Sequence, residues 1–219
     1  YDDLTAWQNL IFWGSSYKLS HSELIENAKY YINMFGLEDR KHQKVKTFSG
    51  GMKRRLNIAC GLIHKPKLVL MDEPTVGIDP QSRNNIYDAI EKLKQENVTI
   101  LYTTHYMEEA ERFSDTIGII DEGKIIAEGT LDELRSASGI HDEIAVLVKN
   151  NPGTLQNQSI YSLYVDENTI HFNTTSAKVE LPKIISFCLE NNLEIEHVDI
   201  KKVNLENIFL KLTGKKLRD

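Results

Sequence analysis

Apolar residues recur along this chain at two periods, a helical one near 3.6 and short unbroken runs, and their alternation predicts most of the elements. Trp7, Leu10, Ile11 and Phe12 lie in one helix opened by Thr5 and Gln8 as a capping box. Leu24, Ala28, Tyr31, Ile32 and Phe35 make a second helical face, which Gly36 stops at C′. A third helix, residues 51–63, ends before Pro66, which has no N–H to continue it. Leu68-Val69-Leu70-Met71 is continuously apolar, the pattern of a parallel strand buried on both faces. Asp79 then caps a helix with Pro80 at its first position and Ile86, Ala89, Ile90 and Leu93 as its stripe. Residues 98–104 form the next strand and 106–113 a short helix. Strands at 116–120 and 124–127 are joined across Asp121-Glu122-Gly123, and a segment at 130–135 closes an α/β region.

Ser136-Ala137-Ser138-Gly139 has the composition of a linker. Beyond it the pattern predicts strands at 143–148, 160–165 and 169–173. A helix follows at 182–191, carrying Ile184, Ile185, Cys188 and Leu189, then a strand at 193–198. Asn204 caps a last helix with Leu205, Ile208, Phe209 and Leu212 on its apolar face. This reads as a small α+β domain. Trp7, Trp13 and the Tyr30-Tyr31 pair are packing residues on this reading.

Composition narrows the classes. With 219 residues the chain can bury a sizeable core, and 41% hydrophobic with 26% charged residues is ordinary for a water-soluble fold. A net charge of -6 argues against nucleic acid as a partner. Cys60 and Cys188, the two cysteines, sit in apolar helical patterns as buried hydrophobes, which fits a reducing cytosol. No apolar run reaches the roughly 20 residues that cross a bilayer. Tyr1-Asp2-Asp3 is not the start of a signal peptide.

Chemistry concentrates between Phe48 and His105. Ser49 can cap a helix, and Gly50-Gly51 let a backbone approach a ligand, so exposed N–H groups and the helix dipole offer an anion site. Lys53, Arg54 and Arg55 oppose that dipole, a misfit that a bound polyphosphate would resolve; by themselves they read as a solvated basic face. Asp72 and Glu73 leave an apolar strand at its carboxyl end, where open α/β sheets bind ligands. Asp79 has a complete structural role as an N-cap. His105 ends the following strand, with no second His or Cys at ligand spacing, so a metal centre is rejected. Glu108, Glu109 and Glu111 read as a solvated face.

In this order, Phe48-Ser49-Gly50-Gly51-Met52, Asp72-Glu73-Pro74, Gly77-Ile78-Asp79 and His105 resemble the signature, Walker B, D-loop and switch-histidine motifs of ABC-type ATPases. Met52 stands where the commoner family pattern has Gln. Glu122-Gly123-Lys124 and residues 128–134 add to the likeness, and Leu4-Thr5 with Asn9-Leu10 resembles the opening of the family's helical subdomain. Residues 205–214 look like the tail of ATPases from ABC-2-type drug exporters.

The resemblance implies a partial P-loop NTPase (RecA-like) α/β fold: a helical subdomain at 1–47, the rear half of the ATPase core at 48–138, and an accessory α+β domain at 139–219. It implies ATP and Mg²⁺ as cofactors, with Asp72 on the metal, Glu73 polarising the attacking water and His105 at the γ-phosphate. Phe48, Ser49, Gly50, Gly51, Met52 and Asp79 would face a nucleotide shared with a second ATPase subunit, as a homodimer. A membrane-spanning permease subunit would be the other partner, with the protein peripheral on the cytoplasmic face.

No G-x-x-x-x-G-K-[ST] segment occurs in the 219 residues. The expectation is a rear portion of such an ATPase, inactive alone, with an exposed apolar surface or strand edge. Alternatives are a soluble ABC ATPase of translation or repair, and a non-catalytic interaction module.

Overall fold

The computed structural model describes residues 1–150 and 162–214, in two compact units that divide between Phe113 and Ser114. The boundaries expected after residues 47 and 138 fall inside these units. One apolar core runs from the first helices through the strand and helix after them, which is why residue 47 makes no break.

In the first unit, α1 (Ala6–Gly14), α2 (His21–Met34) and α3 (Gly50–Leu62) pack on one another. The capping box at Thr5 and Gln8 is present, and Ser20 with Glu23 forms a second one at α2. Gly36 takes φ +61° just past α2, the left-handed stop that glycine makes without penalty. Two short 3₁₀ turns, Glu38–Arg40 and Val45–Thr47, lead to α3. Strands β1 (Leu68–Asp72) and β2 (Thr99–Thr103) pair in parallel, from Leu68 opposite Thr99 to Asp72 opposite Thr103. Between them lies α4 (Pro80–Gln95), and α5 (Met107–Phe113) ends the unit. Leu10, Ile32, Phe35, Leu62, Ile86 and Ile90 are buried at its centre.

Strand β1 is not buried on both faces. Met71 is 5% exposed, whereas Leu68 and Leu70 are 57% and 70% exposed, and Leu101 of β2 is 60% exposed. Alternation sends Val69 and Met71 to the core and the two leucines to the opposite face, which no described element of this unit covers.

In the second unit, β3 (Ile117–Asp121) and β4 (Lys124–Gly129) form an antiparallel hairpin. Its two turn residues, Glu122 and Gly123, have φ of 48° and 75°, the mirror-image turn that matches strand twist. The expected linker at 136–139 is instead the end of α6 (Leu131–Ser138), with Gly139 as its left-handed cap. Small polar residues there serve a helix terminus: Ser138 donates to the Arg135 carbonyl.

A four-stranded antiparallel sheet follows in the order β6 (Ser162–Asp166), β7 (Thr169–Thr174), β5 (Asp142–Val148), β8 (Ile195–Lys201). Ile160 and Tyr161 of the strand expected at 160–165 lie outside the described residues. Helix α7 (Ala177–Glu190) buries Ile184, Phe187 and Cys188 against Ile144, Val146, Ile170 and Phe172. It begins five residues before the expected Pro182, which lies in its second turn. Asp142, remote in sequence, accepts from the Ala177 N–H at 2.9 Å and supplies the cap that no neighbouring side chain provides. Helix α8 (Leu205–Thr213) starts at Asn204, the cap its sequence predicts, which forms a reciprocal box with Asn207, and it buries Leu205 and Ile208.

Cys60 and Cys188 are both free thiols on helices. Burial pushes them up to about 12 and about 11, which keeps them protonated and inert.

Candidate functional site

The two parallel strands end side by side, and three acidic or basic side chains of the predicted set meet there. The Thr103 hydroxyl donates to Asp72 Oδ1 across the last rung of the ladder. The chain then leaves β1 through Glu73, whose φ of +41° places a non-glycine residue in left-handed backbone. That conformation costs on the order of 1–3 kcal/mol and persists where its surroundings hold it. Here the Glu73 N–H donates to the Thr103 carbonyl at 3.1 Å, with the Thr103 hydroxyl 3.2 Å away. His105, two residues beyond Thr103, puts Nδ1 3.1 Å from Glu73 Oε1. Their side chains are 57% and 46% exposed, so the pair stays open to a substrate and to water.

A second group gathers at the N-termini of α3 and α4. Ser49 caps α3 by accepting the Met52 N–H at 3.2 Å. Met52 completes no reciprocal box and packs half-buried on the core; Phe48 is 6% exposed within it. The two glycines differ. A Cβ at Gly50 would meet nothing within 4 Å, whereas one at Gly51 would lie 2.5 Å from Ser82 Cβ and 2.8 Å from Asp79 Oδ2. Gly51 therefore lets α3 approach α4, a packing role that Gly50 does not share. Asp79 accepts from the Ser82 N–H at 2.9 Å, and bonds from Ser82 hold its carboxyl below the usual range.

The basic run is neither a free anion cradle nor a solvated face. Lys53 pairs with Asp2 at 2.7 Å. Arg55, 9% exposed, donates to the Phe35 carbonyl at 2.8 Å. Arg54 reaches across to the strand exit and donates to the carbonyls of Asp72, Glu73 and Pro74 at 2.9, 2.7 and 3.0 Å. One guanidinium fork thus ties the helix behind Ser49 to the backbone that carries both carboxylates.

Glu109 was missed. The sequence reading put it on a solvated face with Glu108, but it is 3% exposed. Its carboxylate accepts four hydroxyls: Thr75 at 2.6 Å and Tyr87 at 2.7 Å on Oε1, Thr104 at 2.8 Å and Tyr102 at 2.9 Å on Oε2. Burial pushes this carboxyl upward, and the four hydroxyls together reverse that, leaving it below the usual range. A signal was present: Glu109 precedes Phe113 by four residues and so shares its buried helix face.

Two carboxylates and a histidine beyond the carboxyl ends of parallel strands lie where open α/β sheets bind ligands, and the capped α3 N-terminus adds backbone donors. The family described as ABC transporter matches residues 2–76. The linearmycin resistance ATP-binding protein of Bacillus subtilis (strain 168) is 42% identical over all of this chain and 73% of its own length. The daunorubicin/doxorubicin resistance ATP-binding protein of Streptomyces peucetius is 34% identical over 97% of this chain and 66% of that protein. The Nod factor export ATP-binding protein I of Burkholderia lata is 34% identical over 99% and 70%. The chain thus spans between 66% and 73% of these three relatives.

Among solved structures, an ATP-binding subunit of an ABC transporter superposes with a TM-score of 0.57 at 32% identity, over 64% of this chain and 58% of that one. A second, cbiO1 of Clostridium perfringens, part of the transporter complex cbiONQ, gives 0.53 at 27% identity over 58% and 51%. The chain belongs to the ATP-binding proteins of ABC transporters, a family of ATPases.

Proposed function

We propose that the protein is the ATPase subunit that powers an ABC exporter, working at the cytoplasmic face of a membrane with a permease subunit and a second copy of itself. Relatives named for resistance and export support the direction of transport. Among the described residues no helix is long and apolar enough to cross a membrane, so on this reading the permease supplies the spans. The observation that carries the reading is the Glu73–His105 pair at 3.1 Å beside Asp72.

Asp72 suits Mg²⁺, a hard cation that binds through one or two carboxylates, waters and phosphate oxygens. Bound Mg²⁺–ATP would bring the phosphoryl group to be transferred and the charge that neutralises its oxygens. Asp72 is held in place by the Thr103 hydroxyl, so its carboxylate faces the strand end in a fixed pose. Glu73 orients and polarises the attacking water by accepting its hydrogen bond. His105 holds Glu73 through Nδ1, with the ring braced against Tyr106 at 4.4 Å, and would meet the γ-phosphate of bound ATP. Ser49 and Gly50 offer the α3 N-terminus to the partner subunit's nucleotide. The 219 residues contain no phosphate loop of the G-x-x-x-x-G-K-[ST] type, so as an isolated polypeptide they bind ATP weakly.

Glu73→Gln in the assembled transporter tests the reading. Hydrolysis falls about 100-fold or more while ATP binding persists, because the amide keeps the shape and loses the acceptor that orients the water. Wild-type turnover in that variant refutes the role of Glu73, and vanadate-sensitive hydrolysis by the isolated 219 residues refutes their weak binding of ATP.

A further inference from the structure

The three residues that leave β2 are each tied to a different carboxylate. Thr103 donates to Asp72, Thr104 donates to Glu109 and His105 meets Glu73. Two of those acids belong to the proposed reaction. The third, Glu109, is buried and has no cation partner among the described residues. It is an expensive group to bury, and four hydroxyls converge on it from separate parts of the chain.

Where those hydroxyls come from defines the role. Thr75, fully buried, lies two residues after Glu73 and bonds to Oε1. Thr104 immediately precedes His105 and bonds to Oε2. The Thr104 oxygen also accepts the Tyr106 N–H at 3.0 Å, which closes the turn with His105 at its apex. Tyr87 of α4 and Tyr102 of β2 take the remaining lone pairs and fix the carboxylate plane. One carboxylate therefore measures the separation between the loop that carries Glu73 and the turn that presents His105. The left-handed backbone at Glu73 needs such bracing from outside its own segment.

We propose that Glu109 is a positioning residue for ATP hydrolysis: by accepting the Thr75 and Thr104 hydroxyls together, it sets Glu73 and His105 in register for the attacking water. The proposal rests on the ATPase reading above and adds a residue outside the four motifs that the sequence singled out. It also gives the run Thr103-Thr104-His105 a division of labour, with one residue each for the metal-binding acid, the positioning acid and the water-orienting acid.

A double-mutant cycle in the assembled transporter tests it. Thr104→Val removes the hydroxyl and keeps the shape, Thr104→Ser restores it, and Glu109→Gln leaves an acceptor on one side only. Misplacing reacting groups by about 1 Å costs up to 100-fold, so T104V and E109Q each lower kcat at least about 10-fold, with KM for ATP held within about twofold. T104S keeps at least about half of kcat, and the double variant loses no more than the worse single one, since both act through one hydrogen bond. Losses that multiply across the cycle, or a folded T104V with wild-type kcat, overturn the role of Glu109 and leave the ATPase reading intact. A wild-type assembly without ATP hydrolysis refutes that reading itself. If E109Q does not fold, Thr75→Val, which cuts the other end of the same link, replaces it in the cycle and the same criteria apply.

Discussion

Gly51→Ala tests the close approach of α3 to α4, with Gly50→Ala beside it. The added methyl would sit 2.5 Å from Ser82 Cβ, an atom fixed to the backbone, and 2.8 Å from Asp79 Oδ2. Carbon atoms settle near 3.5 Å, so the starts of α3 and α4 must part by roughly 1 Å. Overpacking of this kind costs about 1–3 kcal/mol. Disturbing the Asp79 cap adds about 1 kcal/mol, and the better helix propensity of Ala returns about 1 kcal/mol. The net loss is near 2 kcal/mol. A 113-residue unit unfolds with an entropy of about 0.24 kcal/mol per kelvin, so its Tm falls by about 8 °C. Trp7 and Trp13, the two tryptophans, both lie in this unit, so the fluorescence melt reports it without the second unit. Gly50→Ala is the control: it meets open space and leaves Tm unchanged or raises it by a few degrees, about 0.5–1 kcal/mol of helix propensity. A Gly51→Ala melt within about 2 °C of wild type would refute the close-approach reading.

Two further predictions concern the strand exit. Arg54→Met removes three hydrogen bonds to the carbonyls of Asp72, Glu73 and Pro74 and costs about 2 kcal/mol; amide exchange at Asp72, Glu73 and Thr75 rises, and unchanged protection there counts against the tie. Glu109 gives a pH signature. Its carboxyl is held below the unfolded value of about 4.3, so its stabilising contribution is complete above that pH and fades as pH falls through the folded pKa. The stability gap between wild type and Glu109→Gln is therefore widest near neutrality and narrows below about pH 4; an equal gap at pH 3 and pH 7 sinks the assignment.

Local chemistry was legible wherever it was self-contained. Thr5 with Gln8, Asp79 before Pro80 and Asn204 before Leu205 each cap a helix with groups inside one turn, and each was readable from spacing. Asp72, Glu73 and His105 were each legible as residues at a strand end; that the two ends lie together follows from the pairing of β1 with β2. What escaped was non-local. The start of α7 depends on Asp142, 35 residues away, so Pro182 looked like the natural first turn. The basic run at 53–55 looked free because its partners, Asp2, Phe35 and the strand-exit carbonyls, lie between 18 and 51 residues distant. Glu109 looked solvated beside Glu108 because charge outweighed helix phase in the reading, although Phe113 four residues on marks the buried side. The exposed Leu68 and Leu70 show the converse: an unbroken apolar run records what a strand can bury, and the rest of the fold decides how much of it is covered.

The backbone at Glu73 sets two selection pressures against each other. At φ +41° glycine is the comfortable residue, and Glu73→Gly would relieve on the order of 1 kcal/mol of strain while deleting the carboxylate. A library of variants sorted only for heat resistance drifts toward that substitution, and one sorted for transport purges it. Valine or isoleucine is excluded by both, since branching at Cβ makes left-handed backbone costlier still. The spectrum of residues tolerated at position 73 is therefore a record of which pressure a population has been living under.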